Sequence, residues 1–295
     1  MPQFTVEANE TPLSPLAFLQ RHISSASKSY LRQLLKKGKV KGPRGVVSEQ
    51  DQLQPGDVLT LPDSGRLSEL MAATAQSSQD QQLFILYESR EILIVDKPAG
   101  LAIHSSEGHQ DHNLTGLVDE LIRSRGDAYQ VAPIHRLDLE TSGPVLFGKG
   151  KKACSELGKL FMCHEVEKSY LALVAGKTPG RGLIHSEVPS KGKTKEAQTA
   201  FQALDRNDQA SLLKVTLYTG RQHQIRRQLS ELGHPLFGDR RYRGQQPEGL
   251  PRLFLHCCQL AFVDPFSGAP VEIDSPLPAD LSQFLDTLGL HYPNR

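Results

Sequence analysis

The chain has 295 residues, which is long enough for one large domain together with a smaller one. Its apolar runs fall short of the roughly 20 residues that a membrane-spanning helix needs, and MPQFTVEANE lacks the basic start and apolar segment of a signal peptide. We therefore expect a cytoplasmic protein. The cysteines have no CxxC spacing, which favours reduced core thiols over a zinc knuckle or a disulfide framework; they are Cys154, Cys163, Cys257 and Cys258.

The net charge of +1 conceals an uneven distribution of charge along the chain. Residues 21–44 include eight Lys or Arg and no acid, and residues 221–243 include six Arg against Glu231 and Asp239. Because these segments account for +8 and +4, the remainder of the chain carries −11. Either segment alone also fits a solvated charged face, but two basic surfaces on an otherwise acidic protein favour a nucleic acid as partner.

Residues 1–62 predict a small α/β unit. In SASKSYLRQLLKKGKV, Ser25 or Ser27 can cap a helix, and Gly38 stands where its carboxyl-terminal cap belongs. A short strand over 39–41, a turn, and the strand of QPGDVLTLP follow. The helix places its cationic side chains away from its apolar stripe, which consists of Tyr30, Leu31, Leu34 and Leu35.

This unit resembles the S4 RNA-binding domain through the pattern SxSxxLxxLLKxGxV and the later Gly-Asp before a strand. The resemblance implies that cationic side chains on the helix and the adjoining strand follow an RNA backbone. The candidates are Arg32, Lys36, Lys37 and Lys39. Phosphate contacts of this kind add affinity without sequence information, and they weaken as salt rises.

Residues 63–82 predict a linker, which can include a frayed helical piece, because LSELMAATAQSSQDQQ is rich in Ala, Ser and Gln and has no strand pattern. Residues 83–290 predict an α+β domain with a mixed, mostly antiparallel sheet, since many strands occur with few helices and without strict βαβ alternation. We expect strands in FILYESREILIVDK, PVLFGKG, KSYLALVAG, TAFQALDR, SLLKVTLYTG, RLFLHCCQLAF and PVEID.

Two helices and one hairpin turn are expected within this domain. Asn207-Asp208 can form the turn between two strands. One helix has apolar residues at helical spacing, namely Ala153, Leu157, Leu160 and Phe161. The other places Ile225, Leu229 and Leu232 on one face, and Gly233 closes it.

The stretch HRLDLETSG holds Asp138 in a tight polar segment. Thr141 and Ser142 can bond the turn's amides and hold the carboxylate's loop rigid, although the same residues fit a plain Asx-type turn. This stretch, the upstream VDKPAG turn, EKSYLALV, TGRQHQIRRQLSELGHPLFGDRRY and RLFLHC resemble the RluA family of RNA pseudouridine synthases in order and spacing. The S4-like unit in front resembles the arrangement of the RluC and RluD type.

The resemblance implies a pseudouridine synthase fold and the isomerisation of specific uridines in structured RNA, without a metal or an organic cofactor. Large-subunit ribosomal RNA is the preferred substrate, and transfer RNA is second. Asp138 matches the catalytic aspartate. A carboxylate with an ordinary pKa of about 3.9 is ionised at neutral pH, so it needs no neighbouring base to act as a nucleophile.

The other site residues follow from the same resemblance. Arg226 matches an arginine that pairs with the aspartate, and its guanidinium fork can fix both carboxylate oxygens; a surface helix arginine is the alternative. Tyr170 matches a tyrosine that stacks on the target base and can help to deprotonate C5, although a strand tyrosine is often simply core. Leu255 matches the apolar residue across the pocket, and Lys168 is expected to bind the substrate.

The target uridine must leave its helix to reach a pocket, and Arg136 matches a position whose side chain can fill the resulting gap. Three features depart from the usual pattern of the family: Gln222 replaces Thr, Leu139-Glu140 replaces a commonly charged pair, and Gln228 stands where His is frequent. They concern the choice of target rather than the chemistry.

Two alternatives remain at this stage. The stretch HSSEGHQDH could be a metal cluster of His104, His109 and His112 with Glu107 and Asp111, but a Gly-containing loop with no known ligand spacing disfavours it. The second alternative is a non-catalytic RNA-binding or assembly protein with the same fold. The presence of Asp138, Tyr170 and Arg226 together argues against it, since a pure binder has no need of an acid facing polyanionic RNA.

Overall fold

The computed structural model describes residues 1–7, 14–23, 26–71, 83–104, 113–127, 129–190 and 193–292, with the backbone alone at 189, 190 and 193. The chain divides into two compact units, Met1–Gln82 and Leu83–Arg295. Within the described residues, no helix is both long enough and apolar enough to span a membrane.

The first unit consists of a four-stranded antiparallel sheet and helices. Its elements are β1 (Gln3–Thr5), α1 (Pro15–His22), α2 (Lys28–Lys36), β2 (Lys41–Gly42), β3 (Gly45–Val46) and β4 (Val58–Thr60), and the strand order is β1-β4-β2-β3. A buried core that includes Phe18, Leu31 and Leu59 joins the helices to the sheet. Residues 65–71 are also helical and bury Leu67 in this core, so the packing extends past residue 62.

Helix α2 has the caps that the sequence indicates. The Ser27 hydroxyl oxygen accepts the Tyr30 N–H at 3.3 Å, and Gly38 has a φ of 62°, which lets the Lys39 N–H return to the Leu34 carbonyl. The stripe of Leu31, Leu34 and Leu35 is buried and Tyr30 is half-buried. The four predicted RNA-contacting cations are all exposed.

The second unit contains two antiparallel sheets. Its strands are β5 (Phe84–Glu88), β6 (Ile92–Lys97), β7 (Val131–Pro133), β8 (Gly143–Lys149), β9 (Glu167–Ala175), β10 (Arg181–Ser190), β11 (Lys193–Arg206), β12 (Ala210–Leu217), β13 (Leu255–Val263) and β14 (Pro270–Asp274). Its helices are α3 (Leu114–Ser124), α4 (Lys151–Met162), α5 (Gln224–Glu231) and α6 (Ala279–Thr287). The strand orders are β5-β6-β8-β7 and β10-β11-β12-β9-β13-β14. These features confirm the predicted α+β class.

A close backbone contact links the two sheets beside the HRLD segment. Ser142 and His256 form a parallel bridge, and the Cys257 N–H donates to the Ser142 carbonyl at 2.8 Å. Gly143 follows with a φ of 124°, and a Cβ there would lie 2.2 Å from the Cys257 carbonyl oxygen. Only glycine fits this position, and the contact anchors the end of the turn that carries Asp138.

Two local features differ from expectation. Leu232 was placed on one helical face with Ile225 and Leu229, but it is 49% exposed and is the carboxyl-terminal cap residue of α5, which ends at Glu231. Cys163 is also exposed, since it caps the end of α4, whereas Cys257 and Cys258 are buried as expected and Cys154 is half-buried. All four thiols are free.

Candidate active site

A cavity of about 340 Å³ opens in the second unit where the HRLD turn, β9, β13 and the start of α5 meet. The structure brings together six of the predicted site residues in its lining: Arg136, Asp138, Lys168, Tyr170, Arg226 and Leu255. The four cations predicted to contact the RNA backbone belong to the first unit and are not part of this cavity.

The turn that carries Asp138 is held by buried cations that bond its backbone. The Lys97 ammonium is fully buried and donates to the carbonyls of Pro98, Leu101 and Leu139 at 2.9, 3.0 and 3.1 Å. Burial lowers the pKa of Lys97 to about 7, although the Asp138 charge opposes this shift. The VDKPAG motif is therefore tied directly to the turn that carries Asp138.

A second cation holds the same turn from another direction. Arg252 forms a fork with Asp280, at 2.6 and 3.1 Å, and donates through Nη1 to the Glu140 carbonyl at 3.2 Å. The Thr141 N–H closes the turn onto the Asp138 carbonyl at 3.1 Å. The backbone around Asp138 is consequently fixed before any substrate arrives.

Arg226 contacts two carboxylates at once. Its Nη1 donates to Asp138 Oδ2 at 3.1 Å, while Nε and Nη2 form a two-point pair with Asp239 at 2.7 and 2.8 Å. We expected the guanidinium fork to hold both oxygens of Asp138, and this expectation is wrong. The Nε–Nη2 edge of the guanidinium faces Asp239, and Asp138 accepts a hydrogen bond only from Nη1. Burial alone would lower the pKa of Arg226, but the bonds and charges of Asp239 and Asp138 outweigh it and raise the pKa.

Asp239 is a site residue that the sequence analysis did not assign. Its side chain is fully buried, and it also accepts the backbone N–H groups of Arg241 and Tyr242 at 3.0 and 3.1 Å. Its carboxylate oxygens thus accept four hydrogen bonds from the protein. The quoted motif GDRRY contains the residue, but nothing in its spacing connects it with Arg226.

His223 is a second unassigned residue. It caps α5 at the amino-terminal end, and its Nε2 lies 3.7 Å from Asp138 Oδ1. Its Nδ1 lies 3.0 Å from the Tyr242 hydroxyl, which also receives the Arg227 Nε–H at 2.9 Å. His223 immediately precedes helix α5 and lies outside the apolar stripe of that helix. The spacing of apolar residues therefore could not predict which way its side chain points.

Tyr170 forms a wall of the cavity from the centre of the large sheet. It pairs with Val215 on one side and Cys257 on the other, and it is 6% exposed. Burial raises the pKa of its phenol well above the usual value, and the nearby Cys257 and Asp138 add to the effect. The phenol is therefore neutral at physiological pH, and its expected roles in stacking and at C5 stay predictions.

Lys168 brings a cation into the cavity over the Phe161 ring, with 4.9 Å between Nζ and the ring centroid. Burial lowers the pKa of Lys168. Among the described residues, no carboxylate forms an ion pair with it. Phe161 also stacks on His135, whose pKa is lowered to about 3 by burial and whose Nε2 accepts the Leu146 N–H. The desolvated ammonium group of Lys168 favours an anionic or strongly polar ligand.

The departures from the family pattern lie in different environments. Gln222 is exposed and lines the cavity, as does Arg136. Leu139 and Glu140 contribute their carbonyls to the held turn. Gln228 is fully buried and bonds Ser186, Ala197 and Thr199, so it ties α5 to the large sheet and does not line the cavity.

The alternative of a metal cluster involves His104, which is described, together with Glu107, His109, Asp111 and His112, which lie outside the described residues. Within the described residues, no group of three or more His, Cys, Asp or Glu side chains could hold a metal ion.

Comparison with known proteins gives a consistent result. Residues 91–231 match the family model described as RNA pseudouridylate synthase. The ribosomal large subunit pseudouridine synthase C of Vibrio cholerae is 32% identical over 289 residues, which cover 91% of this chain and 90% of the relative. The protein of the same name from Escherichia coli is 30% identical over 297 residues, with 92% and 91% covered.

Solved structures agree on the fold. Human RNA pseudouridylate synthase domain containing 4 superposes with a TM-score of 0.62 at 22% identity, over 75% of this chain and 98% of that one. Human RNA pseudouridylate synthase domain containing 1 gives a TM-score of 0.53 at 27% identity, over 67% and 84%. The identities over almost the whole chain, together with the matched family model, show that the chain belongs to the RluA family of RNA pseudouridine synthases.

Proposed function

We propose that this enzyme converts uridine to pseudouridine in large-subunit ribosomal RNA, with Asp138 as the nucleophile. Relatives that align over about nine tenths of the chain carry that substrate in their names, which supports ribosomal RNA over transfer RNA. The observation that carries the catalytic proposal is the pairing of Asp138 with Arg226 at 3.1 Å inside the cavity.

The reaction needs a nucleophile and a closed pocket rather than an external reagent. The bond between C1′ and N1 breaks, a bond between C1′ and C5 forms, C5 loses a proton and N1 gains one, so atoms and charge balance within one bound nucleoside. Asp138 carries the transient bond, to the sugar or to the base. Arg226 holds the carboxylate in place through its hydrogen bond to Oδ2.

The walls of the cavity suit a flat, uncharged base. Tyr170 supplies an aromatic face, Leu255 an apolar surface, and both are nearly buried. Stacking on one aromatic face contributes roughly 1–3 kcal/mol per base. Lys168 can bond the uracil carbonyl oxygens or an adjacent phosphate. Extrusion of the base costs a few kcal/mol, and Arg136, exposed at the rim, can fill the gap that the base leaves.

The first unit serves as an S4-type RNA-binding domain in this proposal. The exposed side chains of Lys36, Lys37 and Lys39 have no ion-pair partner among the described residues, whereas Arg32 pairs with Glu49 at 2.9 Å. Unpaired surface ammonium groups are available to phosphates, and each contact releases a counterion from the RNA. This unit supplies affinity, and the second unit supplies chemistry.

The test uses the full chain and two classes of transcript. Purified protein is incubated with large-subunit ribosomal RNA fragments and with transfer RNAs, and pseudouridine is located by carbodiimide-dependent reverse-transcription stops and quantified by nucleoside mass spectrometry. We expect product in a ribosomal fragment and none with Asp138→Asn, which keeps the shape of the side chain but removes its charge.

The control is Asp208→Asn, which alters an exposed carboxylate that does not line the cavity. Product in transfer RNA alone would overturn the substrate proposal. Undiminished product from Asp138→Asn would overturn the proposed nucleophile, and RNA binding without product on any transcript would support the non-catalytic alternative.

A further inference from the structure

We propose that His223 is a positioning residue for the nucleophile: as a neutral imidazole with its hydrogen on Nε2, it donates to Asp138 Oδ1 while Arg226 holds Oδ2. The inference rests on the proposed role of Asp138 and extends it. It assigns separate partners to the two carboxylate oxygens and makes the charge state of one imidazole part of the catalytic arrangement.

The backbone places His223 in an unusual conformation. Its φ is 54°, in the left-handed region that L-residues with bulky side chains seldom adopt. Only His164 and Arg243 share a positive φ among the described non-glycine residues, and His164 also lines the cavity. Such conformations persist where the surrounding structure holds them, and they concentrate at functional sites. Here the conformation turns the imidazole toward the cavity at the start of α5.

A chain of hydrogen bonds supports the tautomer of His223 that carries its hydrogen on Nε2. Arg227 Nε can only donate, so the Tyr242 oxygen accepts its bond at 2.9 Å. The Tyr242 hydroxyl hydrogen can then be donated to His223 Nδ1, which lies 3.0 Å from the hydroxyl oxygen and is an acceptor available to it among the described residues. With Nδ1 as an acceptor, the neutral ring carries its hydrogen on Nε2. That nitrogen is the one that faces Asp138.

The distance from Nε2 to Oδ1 is 3.7 Å, which is slightly too long for a hydrogen bond. Contacts of catalytic groups commonly shorten when the substrate is bound, and a shift of less than 1 Å closes this one. The side chains of His223 and Asp138 are only 12% and 20% exposed, so a bound base would remove the remaining water from the contact.

The surroundings keep His223 neutral. Burial lowers its pKa, and the charges of Arg226, Arg241 and Arg227 lower it further, while Asp138 opposes the shift. Tyr242 faces the ring on its other side. An imidazolium would add a second full positive charge to the carboxylate and reduce its nucleophilicity, and its Nδ1–H could no longer accept the Tyr242 hydrogen. We therefore expect protonation of His223 to slow the reaction.

The experiment compares His223→Ala and His223→Gln in the full chain, on the RNA fragment that the wild-type protein modifies best. Single-turnover rate constants at saturating enzyme and the RNA Kd are measured from pH 5 to pH 8, with circular dichroism to verify folding at each pH. His185→Ala is the matched control, because His185 is exposed on β10 and does not line the cavity.

We expect His223→Ala to lower the rate constant about 10- to 100-fold, as for loss of a hydrogen bond to a charged group, with the Kd changed less than about twofold. Gln can place its amide N–H near the position of Nε2 without titrating. His223→Gln should therefore recover at least about a third of the wild-type rate at pH 7.5 and lose the fall in rate that the wild type shows below its histidine pKa.

Three results would overturn the inference: His223→Ala as active as His185→Ala, a loss of RNA affinity without a change in rate constant, or a folded His223→Gln with the wild-type acid limb. Asp138→Asn is measured in parallel. If it is inactive while His223→Ala is unaffected, only the role of His223 fails; if it is active, the proposed nucleophile fails as well.

Discussion

Asp239→Asn is the perturbation that most directly tests the shared use of Arg226. The substitution keeps the size of the side chain but removes one of the two carboxylates that the guanidinium contacts. The amide oxygen of the new Asn side chain can still accept the backbone N–H groups of Arg241 and Tyr242. Arg226→Ala is less informative, because it would leave the fully buried Asp239 charge without its partner.

The expected cost in stability can be worked from the contacts. Removal of one member of a buried ion pair typically costs about 3–5 kcal/mol, because the other charge remains desolvated. Arg226 keeps its bond to Asp138, so we expect the lower end, about 3 kcal/mol, in the free energy of unfolding. A guanidinium no longer fixed by Asp239 can rotate, and a displacement of about 1 Å at a nucleophile can reduce the rate about 100-fold.

Urea denaturation and single-turnover pseudouridine formation provide the measurements. Near-ultraviolet circular dichroism of tyrosine reports mainly on the second unit, since six of the seven tyrosines lie beyond residue 82. The control is Asp208→Asn, whose exposed pair with Lys177 should contribute less than about 1 kcal/mol. Wild-type stability together with wild-type rate in Asp239→Asn would refute the reasoning that Asp239 positions Arg226.

Three further predictions concern the turn, the first unit and pH. Gly143→Ala should destabilise the second unit by at least about 3 kcal/mol in urea denaturation, because its Cβ would lie 2.2 Å from a backbone oxygen of β13; a soluble variant of unchanged stability would contradict this. The triple change Lys36→Gln, Lys37→Gln and Lys39→Gln should reduce the slope of log Kd against log salt by about 2–3, measured by RNA binding from 50 to 300 mM salt, with an unchanged slope as the contrary result. Burial lowers the pKa of His135 to about 3 and that of His256 to about 4, below the unfolded value of about 6.5. The free energy of unfolding is therefore highest above pH 6.5, and it should fall by roughly 2–3 kcal/mol per pH unit near pH 5.5. His256→Gln should halve that slope in denaturation at several pH values, and an equal slope in both proteins would exclude the assignment.

Local sequence signals predicted an element correctly where its cap, turn or apolar stripe could be recognised within a few residues. Helix α2 has a cap at Ser27, a glycine after its end and a stripe of leucines, and all three occur as the sequence indicates. The hairpin turn at Asn207 also forms, with its side-chain oxygen accepting the N–H of Gln209 and of Ala210. In both cases the determining contacts lie within a few residues of chain.

Helices α1, α3 and α6 were not predicted, for different physical reasons. Helix α1 begins at a proline, and its Ser14 cap lies in a stretch without a clear stripe. Asn113 caps α3 through a bond from the Gly116 N–H, directly after the polar stretch that was considered as a metal cluster. Helix α6 follows a proline-rich turn and has no side-chain cap. Their stability comes mainly from tertiary packing, which a local window does not contain.

The same distinction between local and tertiary information applies to the residues of the candidate site. Motifs identified Asp138, Tyr170 and Arg226 as candidates, because each stands inside a recognisable stretch. The partners that position them are separated in sequence: Asp239 lies 13 residues from Arg226, and Lys97 lies 42 residues from the carbonyl of Leu139. No spacing rule connects such pairs, and only the fold shows that Arg226 divides its donors between two carboxylates.

The charges around the site show how Asp138, the proposed nucleophile, can meet a polyanionic substrate. Asp138, Asp239 and Arg226 together carry a net charge of −1, so the triad by itself would repel a phosphate backbone. Arg227 and Arg241 lie against the Tyr242 ring beside it, at 5.9 and 6.0 Å from guanidinium carbon to ring centroid, and Arg240 and Arg243 are exposed in the same loop. These charges offset the acids at the range over which RNA is attracted, while the short contacts of Asp138 keep its charge localised for reaction. Under the proposed function, the basic segment 221–243 therefore has two tasks that oppose one another electrostatically: to attract the phosphates and to hold a carboxylate ready beside them.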